Sequence, residues 1–268
     1  MLEQDIREYA PILTHKNYNA PSVFTPESLI REARRQKQVL VGKVPSICIL
    51  DPDGDLVDYL RKTGQARQHP CWACYHSNMD IFDYEGVEYG IIGRAVGAPF
   101  AVLVAEELFA TGCELLISIS SAGQIRSLGT PPYVVLVEKA LRDEGTSYHY
   151  LPPTKYSTLH PTLQEMLYTS WNHGNIPLYS GKTWTTDAPF RETEAMIAAC
   201  EENDILAVEM EIAALYALAT AKSYNIVCFA YVTNQMGRIE GDFEKGDEMG
   251  SHAALRLVDQ TAQSWHTR

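Results

Sequence analysis

Four short polar segments hold most of the residue types in this sequence that could do chemistry. They are Asp51–Asp55 (DPDGD), Arg94–Ala98 (RAVGA), Ser118–Gly123 (SISSAG) and the single residue Asn234. The first carries carboxylates, which can take up a proton or stabilise developing positive charge. The third ends in Ser120-Ser121-Ala122-Gly123, and such small side chains let a backbone approach a ligand closely. A further acidic pair flanks a methionine at Glu209-Met210-Glu211. Cys71-Trp-Ala-Cys74, with His69 and His76 beside it, is the one cysteine pair in the chain. A structural zinc site wants four ligands, usually as two such pairs, and the sequence has no second pair. These residues therefore read as ordinary thiols, and no metal or cofactor is expected.

Each polar segment follows a run that reads as a β-strand: Ser46–Leu50, Val87–Ile92, Leu115–Ile119 and Ile226–Val232. Tyr133–Val137 reads as another. Between them, Asp55–Lys62 and Pro99–Thr111, the latter closed by Gly112, have helical patterns. An Ala-rich helix is expected over Ala207–Ala221. Strands that alternate with helices predict an α/β fold, three layers α/β/α around a central mixed, mostly parallel sheet. In such sheets ligands bind beyond the carboxyl ends of the strands. The four segments are thus expected to line one crevice, as in an α/β enzyme acting on a small ligand.

Residues 1–45 read as an N-terminal arm, and residues 46–268 as a single domain without repeats or linkers. In the arm, Thr25-Pro26-Glu27-Ser28 reads as a helix start, with a capping threonine and proline at the first helical position. A formal net charge of -12 argues against nucleic acid as a partner, because phosphate backbones are bound by basic faces. No apolar run approaches membrane-spanning length, and MLEQDIREYA has neither an apolar core nor a basic leader. With six scattered cysteines, reduced thiols in a cytoplasm are the simpler expectation.

Three further stretches, in this order and spacing, resemble one family. Val96-Gly97-Ala98-Pro99 leads into a helix with Glu106-Glu107-Leu108 and then LLISISSAGQI, Leu115 to Ile125. Thr185-Thr186-Asp187-Ala188 follows, and then Val208-Glu209-Met210-Glu211. Over about residues 46 to 264 the chain resembles the nucleoside phosphorylase/nucleosidase superfamily, whose members cleave the bond between a base and a ribose. Gly250-Ser251-His252-Ala253 is similar to uridine phosphorylases in particular. The resemblance implies that Glu211 accepts both ribose hydroxyls, with Met210 packing under sugar or base. Residues two apart on a helix point to nearly opposite sides, so Glu209 is read as a paired or solvated acid beside it. Ser121, Ala122 and Gly123 would approach the substrate, and Thr186 and Asp187 would shape the base pocket; the base-reading pair of uridine phosphorylases has no clear match after Phe190, where Arg191 or Thr193 could substitute. Asp187 reads equally as a helix cap.

Phosphate-using members hold their anion with arginines and a Gly-Asp-Pro-x-Arg loop. Here the loop reads Asp51-Pro52-Asp53-Gly54-Asp55, with Asp55 at the arginine position, and Ser118 stands where another arginine is expected. Tyr75 and His76 stand where a third, supplied across a subunit interface, would lie. Carboxylates where phosphate should sit make phosphate binding unfavourable. The pattern resembles the hydrolytic branch, the methylthioadenosine/S-adenosylhomocysteine nucleosidases, which place a water-activating glutamate where Asp55 stands. Asp53 and Asp51 are alternatives for that role. The expected activity is therefore metal-independent hydrolysis of a nucleoside, without a cofactor. A phosphorylase whose site is rebuilt around Arg94 and Ser121 is the alternative, and a non-catalytic nucleoside binder is another. Asn234 takes the place of the aspartate that protonates a departing purine, and can hydrogen-bond the base but not act as an acid. Family members assemble as homodimers or as hexamers of dimers, and His15 in the arm is a candidate contact to a ribose 5′ end.

Overall fold

The computed structural model describes residues 10–171, 178–237 and 240–267. Most of the segment MLEQDIREYA, read above as free of a leader, lies outside them. Ten strands form one mixed sheet. In chain order they are β1 (Ile47–Asp51), β2 (Ala66–Gln68), β3 (Asp80–Tyr84), β4 (Val87–Gly93), β5 (Leu115–Gln124), β6 (Tyr133–Asp143), β7 (Tyr156–Thr158), β8 (Leu178–Thr186), β9 (Ile205–Glu209) and β10 (Asn225–Asn234). Every residue of β1 is buried, as expected for the middle of a parallel sheet covered on both faces. It lies between β4 and β5, parallel to both, and β10 runs parallel to β5 on the far side. Four adjacent parallel strands therefore end on the same edge, with Asp51 level with Gly93, and Ser118 level with Leu50 and Cys228. Asp51 and Asn234 are the last residues of β1 and β10, Arg94 follows β4, and Ser118–Gly123, expected to follow a strand, lies within β5, which runs on to Gln124.

Beyond β4, β3 and β2 extend the sheet antiparallel, and on the other side it closes on itself between β5 and β10. β10 pairs antiparallel with β6, β6 and β8 run parallel, β8 and β9 run parallel, and β9 returns antiparallel to β5. Register shifts at Val137/Lys139, Lys182/Thr183 and Val232/Asn234 accompany this curvature, since an extra residue bends a strand and increases its twist.

Among the described residues, seven α-helices pack around the sheet: α1 (Pro26–Lys37), α2 (Asp55–Lys62), α3 (Ala98–Ala110), α4 (Pro161–Ser170), α5 (Glu194–Glu202), α6 (Ile212–Lys222) and α7 (Ser251–His266). They include two groups, α1 with α3 and α6, and α2 and α4 with α7. Residues Ile212 to Ala219 of α6 are all buried, and a helix apolar on every side belongs inside the core. The helix expected over Ala207–Ala221 is shorter than its sequence suggests. Ala207 and Val208 lie in β9, where they pair with Thr183 and Trp184; ladder hydrogen bonds and burial override alanine's helical preference there. In α1, Thr25 Oγ1 accepts the N–H of Ser28 at 3.3 Å, so the arm's helix begins as its cap predicts. Its Ile30 and Ala33 pack on Ala73. Among the described residues, no helix is long and apolar enough to cross a membrane.

Candidate active site

The carboxylate loop is a tight turn between β1 and α2. Gly54 takes φ +87° at the helix N-cap, a conformation that costs other residues a clash at Cβ. Asp51, the last residue of β1, accepts Val57 N–H at 2.9 Å and Gly54 N–H at 3.2 Å. Burial pushes its carboxyl up to about 6 against those two bonds. Gly93 lets α2 lie this close to β4, because a Cβ there would stand 2.5 Å from Val57 Cγ1. Asp51 is thus engaged by its own turn.

Asp53 and Asp55 face outward from that turn onto one cation. The ammonium of Lys245, in the segment between β10 and α7, contacts Oδ2 of both. Burial works against its charge, but the two carboxylates more than offset this and hold the lysine above its ordinary value. Tyr231 on β10 donates its hydroxyl to the Lys245 carbonyl at 2.6 Å. These groups wall a cavity of about 30 Å³, whose polar lining is Asp51, Asp53, Asp55, Ser121, Lys245 and Ser251. Ser121 Oγ lies 2.9 Å from Thr233 Oγ1. The buried hydroxyl of Ser251 has no hydrogen-bond partner among the described residues.

The two glutamates separate by role. Glu209 ends β9, and its Oε2 accepts the N–H groups of Glu211 and Ile212 at 2.7 and 2.8 Å, capping α6. Its Oε1 accepts the hydroxyls of Thr183 and Thr185 at 3.0 and 2.5 Å. The two acids are not successive positions of one helix, as the sequence suggested: one closes a strand and the other is the N-cap residue of α6. Glu211 Oε1 accepts Gly97 N–H at 2.7 Å. Burial, reinforced by the charge of Glu209, pushes the Glu211 carboxyl up to about 8. Ser120 beside it favours the ionised form, though its hydroxyl lies outside hydrogen-bond geometry.

Asn234 is buried at the end of β10, level with Gly123. Its Oδ1 accepts Met236 N–H at 2.9 Å, and its Nδ2 lies 3.5 Å from the Ala122 carbonyl. Four successive residues of β5 thereby touch three regions: Ser120 flanks Glu211, Ser121 lines the acidic cavity, and Ala122 with Gly123 abuts Asn234.

The other sequence candidates lie farther out. Arg94 pairs with Asp58 on α2 and is absent from the lining of the acidic cavity, so it does not join Ser121 there. Thr186 Oγ1 accepts Ala188 N–H at 3.1 Å. Asp187 does not cap a helix; it accepts Gly145 N–H at 2.8 Å. Phe190 is 99% exposed and lines, with Met236 and Glu192, an open cleft of about 710 Å³. Arg191 is exposed on the same turn and does not line that cleft. Met210 is half-buried between the glutamates, and His15 is exposed on the arm. Lys245 went unread in the sequence, since a lysine in the charged run FEKGDE carries no motif.

Residues 46–263 match the family model of the phosphorylase superfamily. A guanosine phosphorylase of Halorubrum lacusprofundi is 23% identical over 84% of this chain and 91% of its own length. A DeoD-type purine nucleoside phosphorylase of Shewanella oneidensis is 29% identical over 67% of this chain and 77% of its own. An uncharacterized protein of Acanthamoeba polyphaga mimivirus is 29% identical over 59% of this chain, and that match spans 62% of the viral protein. Among solved structures, a uridine phosphorylase of Vibrio fischeri superposes with a TM-score of 0.66 at 17% identity, over 87% of this chain and 94% of that one. The shared fold, and a family match that takes in every strand described above, make the chain a member of the nucleoside phosphorylase superfamily, whose enzymes cleave N-glycosidic bonds.

Proposed function

We propose that this protein hydrolyses the N-glycosidic bond of a nucleoside or nucleoside-like metabolite. In this reading Glu211 accepts the ribose hydroxyls, Asp55 takes a proton from water, and the water oxygen bonds to C1′ as the C1′–N bond breaks. The electron pair of that bond leaves with the base, which takes up a proton while Asp55 returns its own to solvent. Nucleoside plus water gives free ribose plus free base. Asn234 is suited to hydrogen-bonding the base rather than protonating it.

One observation carries the choice of water: the size and charge of the acidic cavity. At about 30 Å³ it exceeds the roughly 10–15 Å³ that a water needs. Three carboxylates line it against a single ammonium, and two of them already engage that ammonium. An incoming phosphate would meet like charge on most sides.

Phosphorolysis is the second reading, favoured by relatives that are named phosphorylases. Lys245 and Ser121 would then be the groups available to phosphate. A panel of nucleosides, incubated with and without phosphate and assayed for free ribose and ribose 1-phosphate, decides between them. Free ribose in phosphate-free buffer is expected. Ribose 1-phosphate as product, with no turnover when phosphate is withheld, overturns the hydrolytic reading.

A further inference from the structure

We infer that Lys245 is a positioning residue of the reaction, holding Asp55 at the wall of the water-sized cavity and tying its own segment down as the facing wall. The inference rests on the hydrolytic reading. Its ground is the double pairing of one buried ammonium across the cavity. The Lys245 side chain is only 14% exposed, and a buried ammonium is costly unless paired. Here it is paired twice, with acids from the turn at the opposite side of the cavity. The contact uses Oδ2 of Asp55 and leaves Oδ1 outside the ion pair. One carboxylate oxygen is fixed by the cation, and the other is left to accept a proton.

The backbone of the lysine is fixed as well. Tyr231, from the strand that also carries Asn234, holds its carbonyl at 2.6 Å. The same tyrosine packs on Gly250 so closely that a Cβ there would stand 2.5 Å from its ring. Gly250 precedes Ser251, whose unpartnered hydroxyl lines the cavity. Lys245 thus joins three parts of the cavity wall: the turn before α2, the end of β10 and the start of α7. A general base works only when held within hydrogen-bond reach of its proton, and the lysine supplies that restraint for a short side chain at a helix start.

The test compares Lys245→Met and Lys245→Arg with wild type, measuring kcat and KM for nucleoside in phosphate-free and phosphate buffers. Losing the restraint should lower kcat by about 100-fold, the scale of a misplacement near 1 Å, with nucleoside KM little changed. Arginine, which can span both carboxylates, should recover most of that loss. Because Lys245→Met leaves two acids facing each other, the double variant Lys245→Met/Asp53→Asn relieves the repulsion while leaving Asp55 untethered; it should stay folded by circular dichroism and stay slow. Wild-type kcat in folded Lys245→Met, or its return in the double variant, overturns the positioning role and leaves hydrolysis standing. Turnover that requires phosphate, with Lys245→Met raising KM for phosphate alone, overturns the inference together with the reading beneath it.

Discussion

Gly97 donates its backbone N–H to Glu211 Oε1 at 2.7 Å, and so joins the N-cap of α3 to the N-cap of α6. Two helix starts, each favouring negative charge, converge on one carboxyl. Even so, burial and the neighbouring Glu209 push it up to about 8. Glu211 is therefore far more readily protonated than an exposed glutamate, although ribose hydroxyls bind best to a carboxylate.

The first expected outcome concerns binding. Since the ionised form is the better acceptor, nucleoside affinity should rise as pH increases from 6 toward 9, levelling above the Glu211 value of about 8. Isothermal titration across that range checks this. Glu211→Gln should bind more weakly and lose the pH dependence. Affinity in wild type that is flat with pH would show that the free protein already holds this acid ionised.

Stability should move the opposite way. Folded Glu209 and Glu211 sit at about 7 and about 8, above the 4.5 of an exposed glutamate, so the folded state binds more protons between those limits. Their contribution is fully present below about 4.5 and is lost as pH rises through 7 to 8. Other groups titrate in the same window, notably His69 and His149, both lowered by burial. The informative quantity is therefore the difference between proteins. Thermal unfolding of Glu211→Gln should lose less Tm than wild type on going from pH 6 to pH 8.5, and equal losses would contradict the assignment.

Glu209 should prove to be a folding residue. Its carboxyl satisfies two threonine hydroxyls and two backbone N–H groups, all buried. Glu209→Ala removes a helix cap and strands those donors, at a cost of about 3 kcal/mol. Denaturant unfolding measures it. A loss below the scatter of ordinary surface substitutions would mean that water replaces the carboxyl at no cost.

The elements around the site were legible because their signals are local. Buried apolar runs such as β1, each followed by a polar turn, announce parallel strands, and those turns lie on one sheet edge as the pattern requires. β9 was not legible. Ala207-Val208-Glu209 has the composition of a helix start, and only pairing with residues distant in the chain makes it a strand. Ion pairing across the chain is equally silent: nothing near Lys245 in sequence shows that it meets Asp53 and Asp55, about 190 positions away. The partner of Arg94 is equally hidden in the sequence. Its position after a strand suggests a ligand contact, and in the fold its guanidinium pairs with Asp58 on α2.

The loop of three aspartates offers the sharpest test of mechanism, because the structure gives its members different surroundings. Asp51 is buried and engaged by Val57 and Gly54 N–H groups. Asp51→Asn should therefore act mainly on stability, by about 1 kcal/mol, as for a weakened cap. Asp55 lines the cavity with one oxygen tied to Lys245. Asp55→Asn keeps the shape but removes the base of the proposed reaction, so on that reading kcat should fall by about 10²–10⁴-fold with substrate affinity largely retained. Glu211→Gln should weaken binding and turnover together if, as proposed, it contacts the ribose before the transition state. Single-turnover kinetics on folded variants separate these patterns. If Asp53→Asn, and not Asp55→Asn, abolishes the rate, the base is the neighbouring carboxylate on the same lysine, and hydrolysis stands. If none of the three aspartate changes slows turnover, the loop serves only as a turn before α2, and water activation by this carboxylate cluster is refuted.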